Sequence, residues 1–298
     1  MDRDVALLCN PSAGGGRARR VLPEVEEALR EHGVAFHTEI TRGLEHGREV
    51  ADAAARAGEV VVTLSGDGLV GAVAGVLREH PSSLLGVLPG GRGNDFARAL
   101  GIPRELPAAC AVIATGTPRP IDVGDAGGRT FVGIGSLGID AEANRIANDA
   151  PKWLGATVYL YAALRALASW QPVAFELRLD GGEPLHVRGY SVSACNSPCY
   201  GGGMMLAPDA KLDDGHFDVV VIGELSKPRF LATLPKVFRG AHVTHPAVSI
   251  RRARELVADA DRPLTLYADG DPIGTTPVTI RVVPGAVRVL VPRGATTT

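Results

Sequence analysis

Three short apolar runs in the first hundred residues each end abruptly in a glycine-rich loop. The runs begin at Val5, Val60 and Leu84, and the loops occupy residues 10–17 and 65–68 and the stretch from Pro89 to Asp95. A helical pattern follows each loop, so the repeated unit is a buried strand, a tight turn and a helix. This order predicts a parallel sheet covered by helices on both faces. In such a sheet the three loops share one edge, where they can converge on a single ligand.

The loop composition favours a phosphate-bearing ligand. Glycines let a phosphate approach the backbone, and each following helix directs free N–H groups at it. Asp67 falls at the carboxyl end of its strand, beside the expected phosphates. Ordinary strand-to-helix turns are the alternative interpretation, because a single Gly-Asp-Gly is weak evidence.

The number and positions of the lysines limit how this chain could bind a nucleotide. The chain has four lysines, the first at Lys152, and it contains no Walker A sequence. A nucleotide in the first half must therefore be held by backbone amides, by a metal ion and by arginines, with Arg17, Arg19, Arg20 and Arg92 as candidates. Backbone and metal ligation of this kind suits phosphoryl transfer. No G-x-G-x-x-G follows the first strand, which disfavours a dinucleotide cofactor.

The pattern changes after Ile121, where short strands with alternating apolar and polar residues dominate. The sequence therefore predicts an α/β protein with two domains. We expect residues 1–121 to form a Rossmann-like parallel α/β domain that binds nucleotide, and residues 122–298 to form a mostly antiparallel β-domain. Whether the last strand returns to the first domain stays open. The predicted strands of the second half are 131–134, 173–179, 186–195, 217–222, 247–251, 264–268, 278–283 and 287–291.

Five motifs in order resemble the bacterial diacylglycerol kinase family of soluble lipid kinases. They are Asn10-Pro-x-Ala-Gly14, the Gly-Asp-Gly at 66–68, Leu88-Pro-x-Gly-x-Gly-Asn-Asp-Phe-Ala-Arg98, Ala207-Pro-x-Ala-x-x-Asp-Asp-Gly-x-Phe-Asp218 and Asp269-Gly-Asp271. The motifs span nearly the whole chain, and the set is specific although each motif alone is not. NAD kinases share the Gly-Asp-Gly loop but lack the third and fourth motifs.

The resemblance implies that the second domain, 122–298, is β-sandwich-like and binds the lipid. It also implies ATP and a lipid as substrates, with the active site in an interdomain cleft. It implies Asp271 as general base and Asp67 as the second catalytic residue. It also implies a structural Mg²⁺ held by the Asp214 carboxylate and the backbone carbonyls of Lys211 and His216. The implied nucleotide-binding positions are Asn10, Thr41, Ser65, Gly66, Asp67, Gly68, Leu69, Gly71, Gly91, Arg92 and Asn94.

The chain departs from the family pattern at several positions. The usual second loop is G-G-D-G-T-x-N-E, whereas this chain has Ser65, Leu69, Gly71 and Ala72 at the first, fifth, seventh and eighth positions. Arg92 replaces a usual Thr, and Asp271 replaces the usual catalytic Glu. Two alternatives therefore remain open: a catalytically weak or inactive nucleotide- or lipid-binding homologue, and more distantly an NAD-kinase-like enzyme.

Composition adds limits on partners and location. The chain has 298 residues with 31 basic and 33 acidic side chains, a balance that argues against nucleic acid as a partner. No signal peptide or spanning helix is evident, so we expect a cytoplasmic protein that touches the membrane surface transiently to reach its lipid. The sequence leaves open whether it is a homodimer. Residues 200–206, with Met204 and Met205, are equally suited to filling the core and to lining an acyl chain.

Overall fold

The apolar runs of the first half form a parallel sheet. The computed structural model describes residues 4–151, 154 and 157–294. The four strands stand in the order β2-β1-β3-β4, and every residue of β1, β3 and β4 is buried. Full burial explains their unbroken apolar sequences, since both faces of a parallel sheet are covered by helices. The strands are β1 Val5–Cys9, β2 Phe36–Ile40, β3 Val60–Ser65 and β4 Leu84–Pro89.

Helices connect these strands, as the sequence predicts. Their bounds are α1 Ala13–Glu31, α2 Leu44–Ala57, α3 Asp67–Leu77, α4 Asp95–Ala99 and α5 Leu106–Thr115. The first helix begins before its apolar repeat, which the sequence shows only from Val21 onward, because its first turns carry glycine and arginine. Gly14, Gly15 and Gly16 have φ angles of 60°, 68° and 91°, so a left-handed loop precedes the regular helix.

The second half is mainly antiparallel β-structure. Its first ten strands are β5 Thr117–Ala126, β6 Arg129–Phe131, β7 Ile134–Gly138, β8 Val173–Leu179, β9 Leu185–Cys195, β10 Phe217–Gly223, β11 Val248–Ala253, β12 Glu255–Ala260, β13 Thr265–Ala268 and β14 Asp271–Thr275. Three helices accompany them: α6 Ile139–Asp149, α7 Val158–Ser169 and α8 Lys227–Val237. Side chains from β7, β8, β9, β10 and β12 build a second apolar core around Phe131, Phe175 and Phe217. The predicted fold class, a parallel α/β region followed by a β-sandwich-like region, is confirmed.

The final strand, β15 Val278–Val291, connects the two regions. Its first half pairs antiparallel with β12, and Arg288 and Val289 pair parallel with Leu84 and Leu85 of β4. The sequence predicted two strands here, at 278–283 and 287–291, but the chain continues through a register shift between them. The division predicted at residue 121 lies inside β5, which runs antiparallel along most of β15.

Other strands also differ from the prediction. β5, β12 and β14 were not foreseen, and the predicted strand at 131–134 is instead the end of β6 and the start of β7. The break has a physical cause: the N–H groups of Val132 and Gly133 donate to the Asp269 carboxylate at 2.7 and 2.9 Å instead of joining a strand ladder.

Within the described ranges, none of the helices combines the length and the apolar character needed to cross a bilayer.

Candidate active site

The three glycine loops meet at the carboxyl edge of the parallel sheet. A Cβ atom on Gly14 would lie 2.6 Å from the carbonyl oxygen of Gly90, and one on Gly91 would lie 2.5 Å from the Cα of Gly66. Real Cβ atoms do not come so close to backbone, so glycine is required for the loops to touch. The predicted convergence of these loops is therefore present in the structure.

Asp67 is fixed by the start of the short helix α4. Its carboxylate accepts hydrogen bonds from the N–H groups of Asp95 and Phe96, both at 3.1 Å. Burial raises the pKa of Asp67 to about 6, and the nearby Asp95 charge adds to the effect. Each carboxylate oxygen keeps a further lone pair, so Asp67 can still accept a proton from a third group.

Two more carboxylates stand beside Asp67. Asp95 accepts the N–H of Gly202 at 2.7 Å and pairs with Arg98. Asp269 is half-buried and accepts the N–H groups of Val132 and Gly133, and burial raises its pKa to about 7, with the charge of Asp67 contributing. Carboxylates that titrate this close to neutrality are typical of functional sites.

The acidic cavity is the name we give to the space these carboxylates face. Its lining includes Asp67, Asp95, Asp269, Asn144, Tyr200 and Gly201. It adjoins a second space, the apolar cavity, since Asn144, Tyr200 and Gly201 line both. The apolar cavity lies among α6, α7 and α8 and is also lined by Ile139, Asp140, Ala143, Ala163, Met204, Phe230 and Leu234.

Asp271 faces a different space, the glycine cavity, between α2, α3 and the β5–β6 hairpin. This cavity of about 420 Å³ is lined by Gly68, Gly71, Ala72, Gly75, Arg48 and Arg129, among others. The Asp271 carboxylate forms no hydrogen bond with any described residue. Burial raises its pKa, and the charges of Arg48 and Arg129 oppose that shift. Asp67 does not line this cavity, and Asp271 does not line the acidic cavity.

A fourth space, the arginine cavity, opens on the other side of the glycine loops. It has a volume of about 530 Å³, and its lining includes Gly14, Arg17, Gly91, Arg92, Arg98 and Arg104. Arg17 donates to the carbonyl of Pro89 at 2.6 Å, which ties the first loop to the third. Several guanidinium groups around one cavity provide planar sets of N–H donors that bind phosphate oxygens.

The structure separates the predicted nucleotide-binding residues into two groups. Gly68 and Gly71 line the glycine cavity, Gly91, Arg92 and Asn94 line the arginine cavity, and Gly66 packs against Gly91 between them. In contrast, the side chains of Thr41, Ser65 and Leu69 are buried. Thr41 donates to the Cys9 carbonyl and Ser65 to the Gly66 carbonyl, while the amide oxygen of Asn10 accepts the Ser12 N–H. Any contact of Thr41, Ser65 or Leu69 with a nucleotide would have to come from their backbone.

The predicted Mg²⁺ residues lie apart from all four cavities. The Asp214 carboxylate accepts a hydrogen bond from Arg252 at 2.5 Å and from the His216 N–H at 3.1 Å. Each carboxylate oxygen keeps a further lone pair, so these two hydrogen bonds leave Asp214 able to bind a cation. Among residues 4–151, 154 and 157–294, no group of three His, Cys, Asp or Glu side chains could hold a metal ion, but the predicted site takes two of its three ligands from backbone carbonyls. The Mg²⁺ site at Lys211, Asp214 and His216 stays a prediction.

Sequence reasoning missed several residues that line these cavities. Asp95 and Arg98 belong to the third motif, and Asp269 belongs to the last one. These three residues could therefore have been proposed from the motifs. Asn144 had no such signal, because only folding brings α6 beside Asp67, whereas Tyr200 lies in the segment 200–206 that the sequence already offered as a lining for an acyl chain.

Models of known protein families match both halves of the chain. Residues 4–126 match the family model described as the diacylglycerol kinase catalytic domain, and residues 133–291 match the YegS C-terminal NAD kinase beta sandwich-like domain. A diacylglycerol kinase of Mycobacterium tuberculosis is 33% identical over 297 residues, covering 97% of this chain and 95% of that protein. A diacylglycerol kinase of Bacillus subtilis is 30% identical, covering 91% of this chain and 90% of that protein.

Solved structures share the fold. A diacylglycerol kinase from Bacillus anthracis superposes with a TM-score of 0.75 at 19% identity, covering 99% of this chain and 98% of that one. An NAD kinase from Archaeoglobus fulgidus, in complex with ATP, gives a TM-score of 0.51 at 14% identity, with 97% and 94% of the two chains covered.

Proposed function

We propose, from the premise that the chain belongs to the diacylglycerol kinase family of lipid kinases, that it transfers the γ-phosphoryl group of ATP to the free hydroxyl of a diacylglycerol or a related lipid. Membership in the family makes the chain a lipid kinase. The nucleotide, the lipid class and the roles of the residues are our proposal. The observation that carries it is the position of Asp67 in the acidic cavity, which shares its wall with the apolar cavity.

The nucleotide would lie across the glycine loops. The triphosphate fits beside Gly14, Gly91 and Arg92, where backbone and guanidinium donors face the arginine cavity. The nucleoside fits in the glycine cavity, along Gly68 and Gly71 of α3. Phosphoryl transfer depends mostly on positioning and on charge neutralisation, and Mg²⁺ would enter with ATP and neutralise its phosphates.

The lipid would approach from the opposite side. Its acyl chains would lie at the apolar cavity, which at about 40 Å³ holds only part of one chain and whose lining of Ala163, Met204 and Leu234 offers an apolar and adaptable surface. The hydroxyl would then reach past Tyr200 and Asn144 into the acidic cavity. This arrangement brings the acceptor and the γ-phosphate together near Asp67.

We propose Asp67 as the proton acceptor for that hydroxyl. A general base works best when its pKa is close to the operating pH, and the pKa of about 6 at Asp67 meets this condition. Asp271, which the family resemblance implies as general base, faces the glycine cavity with Arg48 and Arg129. In our proposal Asp271 contacts the nucleotide, and its role as general base is the alternative to be tested.

Phosphate transfer from radiolabelled ATP to a panel of dispersed lipids, with NAD as an additional acceptor, tests the reaction. We expect labelled lipid phosphate and no labelled NADP. Asp67→Asn should lower kcat by about 10²–10⁴-fold with little change in the KM for ATP. Asp271→Asn should mainly raise the KM for ATP. Thermal melting of each variant shows whether the fold survives, because Asn at position 67 can accept only one of the two hydrogen bonds from α4.

Three results would contradict the proposal in different ways. A folded Asp67→Asn variant with full turnover, combined with a large kcat loss in Asp271→Asn, would make Asp271 the base. Labelled NADP would favour the NAD-kinase-like alternative. ATP binding without transfer to any lipid would favour the non-catalytic homologue.

A further inference from the structure

The acidic cavity offers many hydrogen-bond acceptors. Asp67, Asp95 and Asp269 line it, and an ionised carboxylate accepts hydrogen bonds but donates none. A diacylglycerol has one hydroxyl that can donate, whereas its ester carbonyl oxygens can only accept. A lipid head group that enters this cavity therefore finds acceptors for its hydroxyl, but it needs a separate donor for the ester carbonyl beside that hydroxyl.

Four side chains that line the acidic cavity can donate a hydrogen bond without being carboxylic acids, and three of them already have acceptors. Ser197 Oγ and Cys199 Sγ each donate to a nearby backbone carbonyl oxygen, at 3.0 and 3.7 Å. The Tyr200 hydroxyl has the buried Asp140 carboxylate as its hydrogen-bond partner. The fourth side chain is Asn144, whose amide forms no hydrogen bond with any described residue.

The Asn144 side chain lies between two fixed points of α6. Asp140, Asn144 and Asn148 are spaced four residues apart, so they share one face of the helix. At one end, the Asp140 carboxylate accepts the hydroxyl of Ser193 on β9 at 3.4 Å. At the other end, the Asn148 amide donates to the carbonyl of Gly270 in the β13–β14 turn at 2.7 Å. Both ends of this polar face are therefore held by neighbouring elements, and the unpartnered amide lies in the middle.

Asn144 also lies at the wall that the acidic and apolar cavities share. It lines the acidic cavity together with Asp67, and it lines the apolar cavity together with Ala163 and Met204. A lipid with its hydroxyl near Asp67 and its acyl chains at the apolar cavity has its ester groups between the two, and this is where the Asn144 amide is.

We infer that the Asn144 amide donates a hydrogen bond to the ester carbonyl beside the free hydroxyl of the lipid, and that this contact selects acylglycerols over lipid alcohols without such a carbonyl. Asp140 and Asn148 are positioning residues, because they act through α6. The inference rests on the proposed lipid substrate, and it adds which residue binds the lipid head group and which chemical group it recognises.

Two lipids that differ in the carbonyl groups test the contact. Dioctanoylglycerol has ester carbonyls, its dioctyl ether analogue has none, and both are dispersed in the same detergent. Phosphorylation by ATP and binding by calorimetry are measured for both lipids with wild type, Asn144→Leu, Asn144→Asp and Asn148→Leu. Leucine removes the amide at similar size, whereas aspartate keeps the shape and replaces the N–H donors by an acceptor. Asn148→Leu is the matched control, because it removes an amide from the same helix face outside the cavities.

We expect wild type to have a kcat/KM about tenfold higher for the ester lipid than for the ether lipid, because the ether leaves the amide donor unpaired. Asn144→Leu should lower the value for the ester lipid by about that factor and change the value for the ether lipid little, so that the two lipids become nearly equivalent. Asn144→Asp should lower the value for the ester lipid at least as much. Asn148→Leu should lower both values by a similar factor and keep the wild-type preference, since it acts only through the position of α6.

The inference is overturned if wild type phosphorylates and binds the two lipids equally well, which would leave the proposed function standing. It is also overturned if the Asn144 variants keep the wild-type preference, because an equal loss for both lipids would mean a structural role. If Asn144→Leu melts early, Asn144→Asp decides the matter, because it keeps the shape of the side chain. A binding preference for the ester lipid that disappears in Asn144→Leu, without phosphorylation of either lipid, would contradict the proposed function and leave the Asn144 contact standing. Absence of both binding and phosphorylation would contradict both.

Discussion

Asp67 and Asp271 have the same side chain but face different cavities. The backbone N–H groups of α4 hold Asp67 in place, and it faces the space beside the apolar cavity. Asp271 lies beyond Gly68, where a Cβ atom would come within 2.9 Å of its carboxylate. One carboxylate is therefore placed toward the lipid side and the other toward the nucleotide side in the proposed reaction.

Arg92 is the residue whose substitution tests the phosphate contact. Arg92→Ala should weaken ATP binding about tenfold or more and leave adenosine binding nearly unchanged, because only the triphosphate offers a partner for a bidentate guanidinium. Arg92→Lys should keep part of the affinity. Calorimetry with ATP and with adenosine measures both effects.

Arg178→Ala, on β8 far from the loops, is the matched control and should change neither affinity. Equal loss of ATP and adenosine affinity in Arg92→Ala would place the arginine near the nucleoside. Unchanged affinity for both ligands would show that Arg92 does not contact the nucleotide.

At the scale of elements, the three glycine loops are held together by close contacts between their backbones. The first, second and third loops approach each other at distances that leave no space for side chains at Gly14 and Gly91. The loops in turn determine the starts of α1, α3 and α4, and the first N–H groups of α4 hold the Asp67 carboxylate. A substitution in one loop should therefore shift the backbone of the other two loops.

Gly91→Ala tests this coupling. The added methyl group would overlap the Gly66 Cα, so we expect ATP binding to be lost and the protein to be destabilised by about 1–3 kcal/mol, as for other overpacked sites. Chemical denaturation and calorimetry measure the two effects.

Gly274→Ala is the matched control, since the nearest atom to its added Cβ is 3.6 Å away, an ordinary contact. A Gly91→Ala variant that binds ATP like wild type would show that the loops can separate without consequence.

At the scale of the whole molecule, β15 and a set of hydrogen bonds connect the two regions. The β15 strand extends both sheets, and Asp122 of β5 accepts the N–H groups of Gly215 and Gly285 at 2.6 and 2.8 Å. Asp269, from the β13–β14 turn, would meet any side chain at Gly71 of α3. The acidic cavity therefore depends on both regions being folded together.

Opposite pH trends in rate and stability follow from the buried carboxylates. Burial raises the pKa of Asp67 to about 6 and that of Asp269 to about 7, from 3.8. A base must be ionised, so kcat/KM should fall as the pH drops through about 7 to 6. The folded state holds these protons more tightly than the unfolded state, so their stabilising contribution is complete below about pH 4 and is lost as the pH rises to about 7.

Initial rates and melting temperatures between about pH 5 and 8 measure both trends, and Asp269→Asn should reduce the pH dependence of the melting temperature. A rate that is constant across this interval would contradict an ionised Asp67 as the base.

The sequence alone determined the parallel strands, the glycine loops and the family, because these depend on local patterns. A continuous apolar run such as Val60–Val62 is buried on both faces wherever the sheet places it, and a glycine loop needs only its own residues.

The tertiary structure alone decided which residues meet. Pairing of β15 with β4 joins residues about two hundred positions apart. The local repeat of apolar residues in a strand does not specify which distant strand it pairs with. The direction of each side chain was also decided there: burial turned Thr41, Ser65 and Leu69 away from the ligand edge, and Arg252 came to pair with the Asp214 carboxylate. The separation of Asp67 from Asp271 arose in the same way, because each faces a cavity formed by elements distant in the chain.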